Sequence, residues 1–340
     1  MTDTGHDTAV GGARWFQQIH IDAARNATDD FNPFHDPRKA SLIRANPYSG
    51  TIVLGFQLEC LIADEVERHR AATDDGTFAE RHALTYRNYQ LTFAGALLPE
   101  QRFCVQVKPT MVGTNPPTVA NRVVARTADG IVMIGHVRDT AGPLVLGDVD
   151  LHALPALRHA PDREFLPGTP YFLKRKFMNT GNAKNFLAGS LCDQGDYFDE
   201  LAERVDFPDM FPAALMSCAL LEKAAKEGHD FLADPMVYIA HTISVDRRIA
   251  RRLRSNDVLH MLVQGPAAVG AEKGLGTTDV RKLRFNCFGI VEPRDVLYRA
   301  EVLRTLGVTN EQLFEVTTVV SIFVKNGSFT NALQLEPTQA

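Results

Sequence analysis

Gly55-Phe56-Gln57-Leu58-Glu59-Cys60-Leu61-Ile62-Ala63-Asp64 lies in a run, Val53 to Arg70, that reads as one long helix. Phe56, Leu58, Leu61, Ile62 and Val66 supply an apolar face, with Glu59, Asp64, Glu65 and Glu67 mostly off it. Shorter helical patterns precede it at Ile19 to Ala27 and Arg38 to Ala45, separated by turn-forming residues. After Asp74-Asp75-Gly76 the pattern becomes strand-like. Strands are expected near 84–94, 102–109, 118–128, 130–139 and 143–149, with Leu98-Pro99-Glu100 and Ala128-Asp129-Gly130 as hairpin-like breaks. An antiparallel sheet wrapped around one central helix satisfies this order, because each strand buries one face against the helix.

The second half repeats the order. Ala213-Ala214-Leu215-Met216-Ser217-Cys218-Ala219-Leu220-Leu221-Glu222 is an almost wholly apolar helix, and Ala213 stands 158 residues after Gly55. Such a helix is buried on most sides. Strand-like runs follow near 236–246, 257–264, 279–290, 296–303 and 313–324. Between the halves, residues 154–170 contain Pro155, Pro161, Pro167 and Pro170 and read as a linker. The expected division is 1–153, linker 154–170, and 171–340, an α+β chain of two similar halves.

Composition narrows the function. The chain has 340 residues, 45% hydrophobic and 23% charged, enough for a sizeable core without metal or disulfide staples. A net charge of -5 speaks against a dedicated nucleic-acid binder. No apolar run approaches a membrane span, and Met1 to Ala13 lacks the basic start and apolar block of a signal peptide. Cys60, Cys104, Cys192, Cys218 and Cys287 are odd in number and dispersed, which fits reduced thiols in a cytoplasmic protein. Two basic runs, Lys174-Arg175-Lys176 and the arginines 247, 248, 251, 252 and 254, read as solvated edges or as phosphate-docking groups. Gly265 to Thr277 reads as a flexible hairpin and lacks the phosphate-loop spacing. His136, His241 and His260 lie in strand patterns without ligand spacing, so no metal site is expected.

The sharpest chemical signal is Asp30-Phe31-Asn32-Pro33-Phe34-His35. Pro33 fixes its own φ and pushes Asn32 away from helix, so the segment is a kinked loop. Asn32 can hold the turn through neighbouring backbone. Such a loop can bring the Asp30 carboxylate and the His35 imidazole into one small space. A water held between them can lose one proton while the pair delivers another, the acid and base work that hydration of an activated double bond requires.

This segment resembles the hydratase motif of the MaoC-like, or (R)-specific enoyl-CoA hydratase, family: Asp, any residue, Asn-Pro, an aliphatic residue, His. Gly50-Thr51-Ile52-Val53-Leu54-Gly55-Phe56 matches that family's Gly-Thr-Ile-like step and helix-entry glycine. The resemblance covers residues 14–150, with the second half a degenerate repeat similar to the double hot-dog hydratases. It implies a double hot dog, two antiparallel sheets each wrapped around a long central helix. It implies Asp30 and His35 as the catalytic pair, Asn32 and Gly55 in support, and Gly50, Thr51 and Phe56 against the substrate. The Gly55 N–H, at a helix N-terminus, would polarise the thioester carbonyl, and a glycine there would admit the acyl chain. The substrate would be an enoyl or 3-hydroxyacyl thioester of coenzyme A or an acyl carrier protein, with no cofactor; a homodimer is left open. The chain departs from the family at Asp29, where glycine is usual, at Phe34, and at Leu54, where histidine is frequent. The second half has no Asn-Pro-x-His, and Pro212-Ala213 replaces the Leu54-Gly55 step, so one active site per chain is expected. The rival readings are a hot-dog thioesterase or acyltransferase, with the carboxylate activating water toward the carbonyl, and a non-catalytic acyl-binding protein.

Overall fold

The computed structural model describes residues 12–73, 76–144, 146–269 and 281–306. The first half carries α1 (Gln18–Thr28), α2 (Pro37–Ala40), α3 (Gly55–Ala72) and α4 (Gly76–Arg81). Five strands follow: β1 (Tyr86–Phe93), β2 (Phe103–Val107), β3 (Met111–Thr114), β4 (Pro117–Thr127) and β5 (Ile131–Thr140). The second half opens with β6 (Glu164–Phe165), β7 (Phe172–Phe177), α5 (Thr180–Gly189), β8 (Phe198–Asp199) and β9 (Arg204–Val205). It continues through α6 (Met210–Ala214), α7 (Met216–Lys226), β10 (Met236–Asp246), α8 (Arg247–Ala250), β11 (Val258–Ala268), β12 (Arg281–Val291) and β13 (Asp295–Leu306).

The two half-sheets are joined edge to edge. Strand order runs β2-β4-β5-β1-β10-β13-β12-β11-β7-β6, with β3 on β4, and all of these pairings are antiparallel. At the seam Tyr89 faces Ile243 and Leu91 faces His241 across β1 and β10. One apolar core, containing Leu58, Leu61 and Ile62 of α3 with Ala213, Met216 and Leu220 of α6 and α7, spans both halves. The seam leaves neither β1 nor β10 with an unpaired edge, which a lone half would expose.

Several local expectations are corrected. The second central helix is interrupted at Leu215 between α6 and α7. The helix expected over Arg38 to Ala45 stops at Ala40. There the Asn46 amide donates to the Ala40 carbonyl, and Ala45 turns left-handed at φ 53°. No strand forms among the described residues of 143–149, where Pro143, Gly147 and Asp148 favour turns. β3, β7 and α5 were not anticipated. The strand expected at 313–324 and most of the Gly265 to Thr277 hairpin lie outside the described residues. Within 154–170, Leu154, Leu157 and Leu166 are buried against Leu262 and Phe288. Among the described residues no helix is long and apolar enough to cross a membrane.

Three of the four carboxylates placed off the apolar face of α3 are enclosed as well. Glu59, Asp64 and Glu65 are all buried, so each must be satisfied by a partner. Glu59 meets the buried His241 at 2.9 Å, Asp64 accepts from the Tyr197 hydroxyl and pairs with Arg68, and Glu65 pairs with Arg14. Gln57 donates to the Gly189 carbonyl of α5. Gly189 lies so close to α1 that a Cβ would meet the His20 carbonyl oxygen at 2.7 Å, which fixes glycine there.

The repeat persists in backbone where the motif residues do not. α1 ends in left-handed Asp29, and Asp30 follows; α5 ends before left-handed Leu191 (φ 59°), and Cys192 follows. A 3-10 turn capped by Asn32 covers Pro33–His35, and one capped by Asp193 covers Gln194–Asp196. Cys192 and Asp196 thus stand where the first half has Asp30 and His35.

Candidate active site

The loop that carries the motif is built by local hydrogen bonds. The left-handed Asp29 lets the chain leave α1, and the Asp30 N–H donates to the Arg25 carbonyl at 2.9 Å. Pro33, whose missing N–H costs nothing at the first position of a turn, starts the 3-10 turn. The Asn32 side-chain oxygen accepts from the Phe34 N–H at 3.2 Å, and its amide donates to the Met236 carbonyl on β10. Asp36 caps α2 and pairs with Arg25 at 3.0 Å, which ties the exit of the loop back to α1.

Asp30 and His35 are both buried, each 4% exposed. The Asp30 carboxylate accepts from the Asn32 N–H at 2.8 Å through one oxygen and from the Ser217 hydroxyl at 2.5 Å through the other. His35 Nδ1 lies 2.9 Å from the Ile52 carbonyl oxygen. A carbonyl only accepts, so Nδ1 carries the proton and Nε2 keeps its lone pair. Burial pulls the His35 pKa below its ordinary value, and the nearby Asp30 charge opposes that shift. The ring is therefore neutral at neutral pH.

His35 and Asn32 line an apolar cavity. Its walls include Val53, Leu54, Leu58, Phe93 and Leu97, joined by Val237 and Tyr238 from the second half. Asp30 sits beyond the wall, one residue from Phe31 and two from Asn32. Gly55, at the first position of α3, also lines the cavity, and a Cβ there would meet the Phe93 ring at 2.7 Å. The Phe93 ring occupies the space that the missing side chain leaves.

The other expected substrate contacts lie elsewhere. Gly50 and Thr51 line a neighbouring cleft that shares Tyr48 with the cavity, and Thr51 donates to Gln18 at 2.7 Å. Phe56 is buried in the core, stacked on His241 at 4.6 Å and edge-on to Tyr238. The basic runs are largely consumed in structure. Lys174 pairs with Asp162 and Glu222, Lys176 with Asp29, Arg247 with Glu67 and Asp209, and Arg248 with Asp246.

Three residues at the site escaped the sequence: Ser217 on α7, Tyr238 on β10 and Arg304 on β13. The Tyr238 hydroxyl donates to Ser217 at 2.9 Å, and Arg304 donates to Tyr238 at 2.6 Å. The one signal that could have found them is Ser217 itself, a lone hydroxyl in a helix otherwise apolar, which must find a partner when buried.

No family profile and no curated protein matches the sequence. Solved structures do match in fold. A MaoC domain protein dehydratase from Chloroflexus aurantiacus J-10-fl superposes with a TM-score of 0.52 at 9% identity, covering 88% of this chain and 94% of the other. A MaoC-like dehydratase superposes with a TM-score of 0.50, also at 9% identity, over 88% of this chain and 97% of the other. The chain is an α+β double hot dog, with the fold of the MaoC-like dehydratases.

Proposed function

We propose that this chain is an enoyl-thioester hydratase, working in either direction between a trans-2-enoyl and a 3-hydroxyacyl thioester. The observation that carries the reading is the neutral His35, with Nε2 free at the wall of an apolar cavity and the Asp30 carboxylate close enough to act on the ring. The apolar wall suits an acyl chain. In the hydration direction His35 Nε2 takes a proton from water while the buried Asp30 carboxylate, behind the cavity wall, stabilises the imidazolium. The water oxygen bonds to C3, and the imidazolium returns its proton to C2, which restores the dyad. The Gly55 N–H, at the N-terminus of α3 and in the cavity lining, would polarise a thioester carbonyl whose oxygen gains charge as C3 is attacked.

The test is direct. The intact chain is mixed with crotonyl-CoA, and loss of the conjugated double bond is followed beside release of free thiol. Hydration without thiol release is expected. Thiol release with the double bond intact would replace the hydratase reading with a thioesterase.

A further inference from the structure

Among the described residues five lysine and arginine side chains are buried: Arg70, Arg87, Lys174, Lys223 and Arg304. Four of them pair with a carboxylate. Arg304 does not. Its one hydrogen bond goes from Nη2 to the Tyr238 hydroxyl, its guanidinium lies 4.4 Å from that ring, and its Nε and Nη1 have no partner. An enclosed cation without a counter-ion is costly, so the charge that balances it must be close by.

The hydroxyl chain leads to that charge. Arginine can only donate and an ionised carboxylate can only accept, so the two ends fix the direction of every proton between them. Arg304 donates to Tyr238, Tyr238 to Ser217, and Ser217 to Asp30, over 2.6, 2.9 and 2.5 Å. All three donors point the same way, and each polarises the next. We propose that Arg304 is the counter-ion of Asp30, acting through Tyr238 and Ser217, so that the second half of the chain supplies the electrostatics of a site whose dyad lies in the first. The inference rests on the hydratase reading for its catalytic consequence, but the relay itself does not.

Burial pushes the Tyr238 hydroxyl up to about 12, so it stays protonated and able to donate. The other titratable groups that feel the Asp30 charge are His35 on its own turn and Cys218 on α7, and the charges of Arg25 on α1 and of Arg304 also reach His35. Neighbouring Asp29 is engaged by Lys176 on β7. Arg304, Tyr238 and Ser217 are positioning residues here; none needs to touch substrate.

The test uses the full-length chain and four variants: Arg304→Met, Arg304→Lys, Tyr238→Phe and Asp30→Asn. Infrared difference spectra against Asp30→Asn isolate the Asp30 carboxyl at a series of pH values. Its carboxylic-acid band is expected to appear about one pH unit higher in Arg304→Met and in Tyr238→Phe than in the wild type. Arg304→Lys, which keeps the charge, is expected to recover part of the shift. The acidic limb of the hydration profile moves in the same direction, with about a tenfold loss of rate on that limb. Tyr238→Phe keeps the ring and loses one oxygen, so it carries the test alone if Arg304→Met does not fold. An unmoved carboxyl band in folded Tyr238→Phe overturns the relay. A moved band in a chain that does not hydrate enoyl thioesters leaves the relay standing and removes the hydratase reading instead.

Discussion

The kinked loop that carries Asp30 and His35 was legible in the sequence, because Asn32 and Pro33 set its turn by local rules alone. Ser217 was not, because its partner Asp30 lies 187 residues away along the chain. Gly55 was legible as a required glycine, but the reason differs from the one expected: Phe93 fills the space where a side chain would stand. Gly55→Ala should displace that ring into the cavity, lower the melting temperature by an amount equivalent to about 1–3 kcal/mol, and raise KM for an enoyl thioester more than it lowers kcat. Calorimetry and steady-state rates check both effects. His35 also makes a pH prediction. Its folded pKa is depressed by burial from 6.5, so the unfolded chain takes up the proton first. The stability contributed by the neutral ring is whole above that value and is lost as pH falls below it toward the folded pKa. His136 and His260 are depressed in the same direction. Urea midpoints at about pH 7.5 and about pH 5.5 should therefore fall less steeply in His35→Gln than in the wild type.

The apolar stripe of α3 was readable, and the helix forms over Gly55–Ala72. Its buried polar residues were not readable as buried, since periodicity cannot say that a second layer closes over the opposite face. The clearest case is Arg70 near the helix end. It donates to Asp139 on β5 at 2.8 Å and to Asn121 on β4 at 2.7 Å, while Arg87 on β1 meets the same carboxylate at 2.8 Å through two donors. The Asp139 carboxyl is held well below the usual carboxylate range by Arg87, with Arg70 adding to it. Helix and three strands are thus pinned at one buried point. Asp139→Asn leaves two enclosed guanidinium groups without their shared anion and should cost about 3–5 kcal/mol, measurable as a lowered urea midpoint with an unchanged slope. A midpoint within error of the wild type would show that the network contributes nothing net.

At the scale of the whole molecule the internal repeat was legible from two helices of matched position, but the seam was not. Nothing in the alternation of β1 or β10 says which strand each will pair with, and a sheet edge satisfies the same pattern as a sheet centre. Residues 1–153 alone keep Asp30 and His35 but lose the β10 partner of β1 together with Ser217, Tyr238 and Arg304. Produced alone, that segment should elute as associated species on size exclusion and show no hydration above background.

The dyad is the centre of the account, and one comparison tests it most directly: the rate of crotonyl-CoA hydration by the intact chain against Asp30→Asn and His35→Ala, with circular dichroism confirming that both variants remain folded. A fall of at least about a hundredfold in each is predicted. Turnover close to that of the wild type in either folded variant would contradict it.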